Sequence, residues 1–147
     1  MNYILLVSHG TVAAAMHETL NAFFYGKRND LLHACIEEGM SPEEYAAEVR
    51  QVLSVVGESD TLTVLADLMG GSPLTYASYV INAIGLSDRT EYLCGMNLPM
   101  IIDVLDSLGK TTKKRSFSNN GFLQEVRNSI RPFVLPSLSE CNREELI

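Results

Sequence analysis

The 147-residue chain is long enough for one domain with a sizeable core and too short for two ordinary ones; with 46% hydrophobic and 20% charged residues it has a globular rather than a disordered or membrane composition. A formal charge of −7 and a pI near 4.9 exclude nonspecific nucleic-acid binding, which needs surplus Lys and Arg against phosphates. Three widely spaced cysteines, Cys35, Cys94 and Cys141, make neither a disulfide framework nor a zinc site.

The first element is an apolar run, Tyr3-Ile4-Leu5-Leu6-Val7, that stops abruptly at Ser8-His9-Gly10. Without polar alternation it predicts a parallel strand covered on both faces. Ligands in open α/β sheets sit beyond the carboxyl ends of strands, which places His9 where chemistry is done. From Thr11 the period turns helical, with Val12, Met16, Leu20 and Phe23 as the apolar stripe and Gly26 as the stop. The start of that helix then points its amides at the Ser8-His9-Gly10 loop, a place for an anion.

Leu31 to Ile36 predicts a second strand and Glu37 to Met40 a loop. Ser41-Pro42-Glu43-Glu44 supplies a cap, a proline in the first turn and a glutamate three residues after the serine, and so starts a second helix. Its apolar face is Tyr45, Val49, Val52 or Leu53, and Val56, and Gly57 ends it. Thr61 to Ala66 predicts a third strand, Asp67 to Pro73 its loop and Leu74 to Ile84 a helix. Thr90 to Cys94 predicts a fourth strand, Gly95 to Pro99 a turn, and Met100 to Leu108 a helix closed by Gly109. Four strand-then-helix units imply right-handed crossovers: an open, mostly parallel, doubly wound α/β sheet of about four strands with helices on both faces, followed by a C-terminal helix and tail.

The boundaries expected are a domain over 1–109, a basic linker over 110–120 containing Lys110, Lys113, Lys114 and Arg115, and a helix and tail over 121–147 that docks on the domain or on a partner subunit. That last segment is too small to fold alone. No basic leader, cleavage pattern or apolar run approaching the ~18 residues of a membrane span is visible, so a cytoplasmic protein is expected.

Among the three histidines, His17 and His33 fit structural roles within a helix and a strand. His9 differs because it ends a strand, precedes a glycine and faces Asp67 if the first and third strands are neighbours. A carboxylate accepting one ring N–H fixes the tautomer and frees the other nitrogen's lone pair as a nucleophile. Gly70-Gly71-Ser72-Pro73 is neither a Walker loop nor a dinucleotide fingerprint. It reads either as a tight turn before a helix or as a loop whose small residues let backbone amides, and the Ser72 hydroxyl, approach a phosphoryl group carried on His9. Thr11, Val12, Ala13 and Met16 are expected to form a shallow apolar surface beside it. Nothing in the pattern calls for a metal or a cofactor.

With Ser8-His9-Gly10 closing the first strand, Asp67-Leu68-Met69-Gly70-Gly71-Ser72-Pro73 the third and Gly95-Met96-Asn97-Leu98-Pro99-Met100 the fourth, the sequence resembles the IIA component of mannose-type sugar phosphotransferase systems over roughly residues 1 to 109. The resemblance implies a phosphoryl relay. The histidine-containing phosphocarrier protein phosphorylates His9, Asp67 orients it, Gly10, Gly70, Gly71 and Ser72 line the phosphate position, and a IIB component takes the group for sugar uptake. It also implies a homodimer, with IIB on a separate chain and the membrane reached only through permease subunits. The phosphotransferase subunit of dihydroxyacetone kinase has a similar domain, but resembles Ser-His-Ser and Asp-Met-Gly-Ser-Ala at these places and ranks second. A noncatalytic sensing or interaction module of the same fold is the remaining alternative.

Overall fold

The structure, a computed structural model, describes residues 1–109, 117 and 120–135. The elements alternate as expected: β1 (Asn2–His9), α1 (Val12–Leu20), β2 (Leu31–Ile36), α2 (Pro42–Val52), β3 (Thr61–Ala66), α3 (Ser72–Ala83), β4 (Thr90–Cys94) and α4 (Leu98–Gly109), followed by α5 (Asn120–Asn128). The four strands form one sheet in the order β2-β1-β3-β4, with every pair parallel.

That order explains the lack of alternation in β1. Ile4, Leu5, Leu6 and Val7 are all fully buried because helices cover both sides. Ile4 and Leu6 join a core with Leu20 of α1, Ile101 and Val104 of α4, and Phe122 and Val126 of α5. Leu5 and Val7 join the opposite core with Tyr45 and Val49 of α2 and Ala77 and Ile81 of α3. The chain winds to one side from β1 to β2, then crosses to β3 on the other, so the strand order reverses between β1 and β3. In such sheets that reversal leaves a crevice at the strand ends.

Three helix details depart from the sequence pattern. The α1 stripe does not run through Val12 and Phe23, which are 43% and 82% exposed, but through Ala13 and Leu20, both fully buried. For Phe23 the cause is a π-helical turn, Asn21–Tyr25, that follows α1 directly. One extra residue per turn shifts the helical phase. It brings Tyr25 onto α4, where its hydroxyl donates to Asp106 Oδ1 at 2.7 Å, and leaves Phe23 outside. Gly26 then ends the segment at φ +69°, a conformation that favours glycine. Helix α3 starts at Ser72 rather than Leu74, and α4 at Leu98 rather than Met100. Pro73 and Pro99 lie in the first turns, where a missing N–H removes no helical bond.

Helix α2 carries the full capping box: Ser41 Oγ accepts from the Glu44 amide at 3.2 Å, and Glu44 Oε2 accepts from the Ser41 amide at 2.7 Å. Helix α5 lies on the α4 side, with the Phe117 and Phe122 rings 5.0 Å apart, whereas Phe133, Val134 and Leu135 beyond it are exposed. The basic run 110–116 and the tail 136–147 lie outside the described residues. Because Ser41→Ala removes the acceptor of the Glu44 amide, it should lower unfolding stability by about 1 kcal/mol, read by urea denaturation.

Candidate functional site

The site forms where β1 and β3 end side by side. Val7 pairs with Ala66 at the last rung, and the Asp67 amide adds one more bond to the Val7 carbonyl at 3.2 Å. That rung sets Asp67 beside His9. Asp67 Oδ2 accepts from the His9 backbone amide at 2.9 Å and lies 2.9 Å from His9 Nδ1, while Asp67 Oδ1 accepts from the Leu68 amide at 2.8 Å. A carboxylate offers only acceptors, so Nδ1 must carry the proton and donate. The lone pair is thereby left on Nε2. The His9 side chain is 45% exposed and that of Asp67 18%.

Burial works against the Asp67 charge, but hydrogen bonds from the His9 amide and ring and from the Leu68 amide outweigh it and hold the carboxyl below the usual aspartate value.

Gly71 lies against the His9 ring. A Cβ added there would sit 2.8 Å from His9 Cε1 and 3.5 Å from Nε2, so the close approach of this loop to the imidazole requires glycine. Its neighbour Gly70 has open space around it and is needed instead for its φ of +74°. Ser72 is exposed and opens α3, whose N-cap position is Gly71 with no side-chain cap. Helix α1 likewise has no cap from its own N-cap residue, Thr11. Helices starting next to His9 thus differ from α2, whose N-terminus is fully capped. The positive end of each helix dipole there favours an anion.

Two expectations change. The Gly10 amide is spent on the Ile36 carbonyl at 2.8 Å, so Gly10 serves the site through its turn, at φ +55°, and not through that N–H. Ala13 is fully buried and Met16 half-buried against the core, so neither offers an apolar docking face. The exposed apolar residues here are Val12, Leu68 and Met69, at 43%, 59% and 85%. Leu68 and Met69 were legible as apolar residues stranded between Asp67 and two glycines in a loop.

The turn after β4 closes the third side. The Met96 amide donates to the Ala66 carbonyl at 2.9 Å, and Asn97 Oδ1 caps α4 by accepting from the Met100 amide at 2.9 Å. The other histidines pack together at the β2 edge with ring centroids 4.6 Å apart, and His17 Nε2 lies 3.1 Å from the Leu31 carbonyl. Burial, with His17 adding to it, lowers the His33 pKa, which suits a neutral packed ring. Among the described residues no cluster of three or more His, Cys, Asp or Glu side chains could hold a metal.

A family model described as the PTS system fructose IIA component, EIIA-man, matches residues 3–118. The chain belongs to this IIA family. Its fold is also that of solved IIA structures. The mannose/sorbose specific IIA subunit from Enterococcus faecalis superposes with a TM-score of 0.71 at 20% identity, covering 93% of this chain and 98% of that one. The IIA protein associated with the fucose utilization operon of Streptococcus pneumoniae gives 0.70 at 22% identity over 89% and 92%. The EIIA component from Streptococcus agalactiae gives 0.67 at 20% identity over 88% and 92%. Membership places this IIA chain in a sugar phosphotransferase system, whose IIA components transfer phosphoryl groups.

Two outcomes are expected from this geometry. Gly71 has an ordinary φ, so Gly71→Ala tests the steric contact alone; it should push the His9 ring off Asp67 and change its tautomer ratio in long-range 1H–15N spectra while the fold survives. Because the folded Asp67 carboxyl lies below the unfolded value of about 3.9, its contribution to stability is complete above that pH and is lost as pH falls through the folded value. The stability gap between the wild type and Asp67→Asn, read by urea unfolding, should therefore narrow below about pH 4.

Proposed function

We propose that this chain is the IIA phosphoryl carrier of a sugar phosphotransferase system, taking the group from the histidine-containing phosphocarrier protein onto His9 and handing it to a IIB component on a separate chain. The observation that carries the reading is the hydrogen bond between His9 Nδ1 and Asp67 Oδ2 at 2.9 Å, which leaves a nucleophilic lone pair on a half-exposed Nε2. In the first step Nε2 attacks phosphorus, the bond between phosphorus and the phosphocarrier's histidine nitrogen breaks, and the electron pair leaves with that nitrogen. The Nδ1 proton stays in place, and the Asp67 carboxylate balances the positive charge that the ring gains. In the second step the IIB component's nucleophile attacks the same phosphorus and the Nε2–P bond breaks.

The starts of α1 and α3 support this reading, since neither N-cap residue, Thr11 or Gly71, makes a side-chain cap bond. Ser72, first residue of α3, adds a hydroxyl next to Gly70 and Gly71. Val12, Leu68 and Met69 supply an apolar margin on which two different partners can pack in turn. A homodimer, a cytoplasmic location, and the division into a body over 1–109, a linker and a docking C-terminal segment belong to the same proposal. Among the described residues, no helix is long and apolar enough to cross a membrane.

Phosphorylation by the phosphocarrier, followed by acid-labile label on the protein, tests the reading. His9→Ala should abolish labelling with the fold intact; label persisting in that variant would move the site to His17 or His33. Asp67→Asn should slow transfer. In either orientation of the amide its NH2 group faces a backbone donor, Leu68 N–H in one and His9 N–H in the other. With hydrogen bonds to charged groups contributing about 1.5–3 kcal/mol, the expected loss is roughly ten- to a hundredfold in single-turnover rate.

A further inference from the structure

The two helices that begin beside His9 treat their second amide in different ways with the same result. In α3 that position is Pro73, which has no N–H. In α1 it is Ala13, whose amide donates to Ser8 Oγ at 2.7 Å. Ser8 is not part of the helix or of its N-cap; it lies inside β1, fully buried, in register with Cys35 of β2, with Cys35 Sγ 3.8 Å from its hydroxyl. A hydroxyl two residues before the loop turn thus does what a Thr11 side chain would do at an ordinary N-cap, and Thr11 makes no cap bond. Its chain neighbour is His9 itself. One residue therefore locks the end of the strand that presents the imidazole to the start of the helix whose dipole faces the loop.

We propose that Ser8 is a positioning residue for phosphoryl transfer at His9. By accepting the Ala13 amide from behind, it fixes the start of α1 while keeping any side chain away from the front of that helix, where the Val12 amide opens the first turn. Capping by Thr11 would hold the same helix but would put an oxygen acceptor on the side facing the loop, in competition with the transferred group. Ser8 thus supplies the stability of a cap and leaves the anion side vacant, as Pro73 does for α3. The inference rests on the phosphoryl-carrier reading given above and assigns to it a residue that touches neither the phosphoryl group nor the ring.

The test compares Ser8→Ala and Ser8→Thr with the wild type, using the phosphorylated histidine-containing phosphocarrier as donor and measuring transfer over a range of donor concentrations. Ser8→Ala should lower the saturating rate about tenfold with the half-saturating donor concentration changed less than about twofold, because the docking surface is untouched. Ser8→Thr, which keeps the acceptor oxygen, should recover most of that rate. In 1H–15N spectra the wild-type Val12 amide should shift downfield on phosphorylation, and this shift should shrink in Ser8→Ala and return in Ser8→Thr. If Ser8→Ala is too unstable to assay, Ser8→Cys fills the same space with a poor acceptor and should show the same rate loss. A saturating rate equal to the wild type in Ser8→Ala or Ser8→Cys overturns the proposal, as does a Val12 shift that is the same in all variants. Failure of the wild type to take label on His9 is a different result: it overturns the carrier reading, and this proposal with it.

Discussion

Everything at the candidate site hangs on one oxygen. Asp67 Oδ2 accepts from both the backbone amide and the ring of His9, so a single carboxylate oxygen fixes where the histidine is and which of its nitrogens is protonated. Such a double contact tolerates little slip between the strands that carry the two residues. The sheet supplies that constraint: β1 and β3 are hydrogen-bonded neighbours, and their parallel register runs from Asn2 with Thr61 to Val7 with Ala66 without a bulge. Shifting β3 by one residue would turn its alternate side chains to the other face and exchange Leu65 with Leu62, Val64 and Ala66 between two differently shaped cores. Two close-packed cores therefore hold a polar geometry that the polar groups could not hold alone.

The same logic accounts for where the fold uses its helix caps. Helix α2 is capped twice, by Ser41 and Glu44. Helices α1 and α3 start next to His9 and take their support from buried groups behind them: Ser8 Oγ under α1, and the Tyr45 hydroxyl, which donates to the Pro73 carbonyl at 3.2 Å, under α3. Tyr45 comes from the fully capped helix α2 and is itself fully buried. Its phenol is pushed well above the ordinary value, by burial first and then by Glu48, Cys35 and Asp67, so it stays a neutral donor. Rigidity at the site thus reaches it from the core, and the loop surfaces stay free.

The strands and the His9–Asp67 pair were legible in the sequence because both rest on strong local signals. Unbroken apolar runs end in a polar residue and a glycine, and a parallel sheet brings such ends together at one edge. Helix phase was less legible. Val12, Met16, Leu20 and Phe23 make a good apolar stripe by spacing, yet the π-helical turn after Leu20 and the tertiary hold on Tyr25 rotate Phe23 out of the core. Periodicity assumes a constant residue count per turn, and one tertiary contact is enough to break that assumption. Ala13 misled for another reason: small residues carry little hydrophobic signal, so a buried alanine and an exposed one look alike. The Gly10 amide could not be assigned at all without knowing that β2 is the other neighbour of β1.

In the proposed relay, two partners must use one imidazole in succession, and the apolar margin around it comes from separate segments: Val12 from the start of α1, and Leu68 and Met69 from the loop after β3. A partner seated on both segments senses their separation as well as their side chains. That separation is set by the same strand pairing that aligns Asp67 with His9. Docking surface and nucleophile are therefore one rigid unit, and a partner that fits the margin finds Nε2 already oriented. Preorganisation of this kind lowers the entropy lost on forming the reactive encounter without deepening the bound state. For a carrier that must release each partner after transfer, that is the useful combination: the orientation is built into the sheet, and the contact area can stay small enough for rapid dissociation.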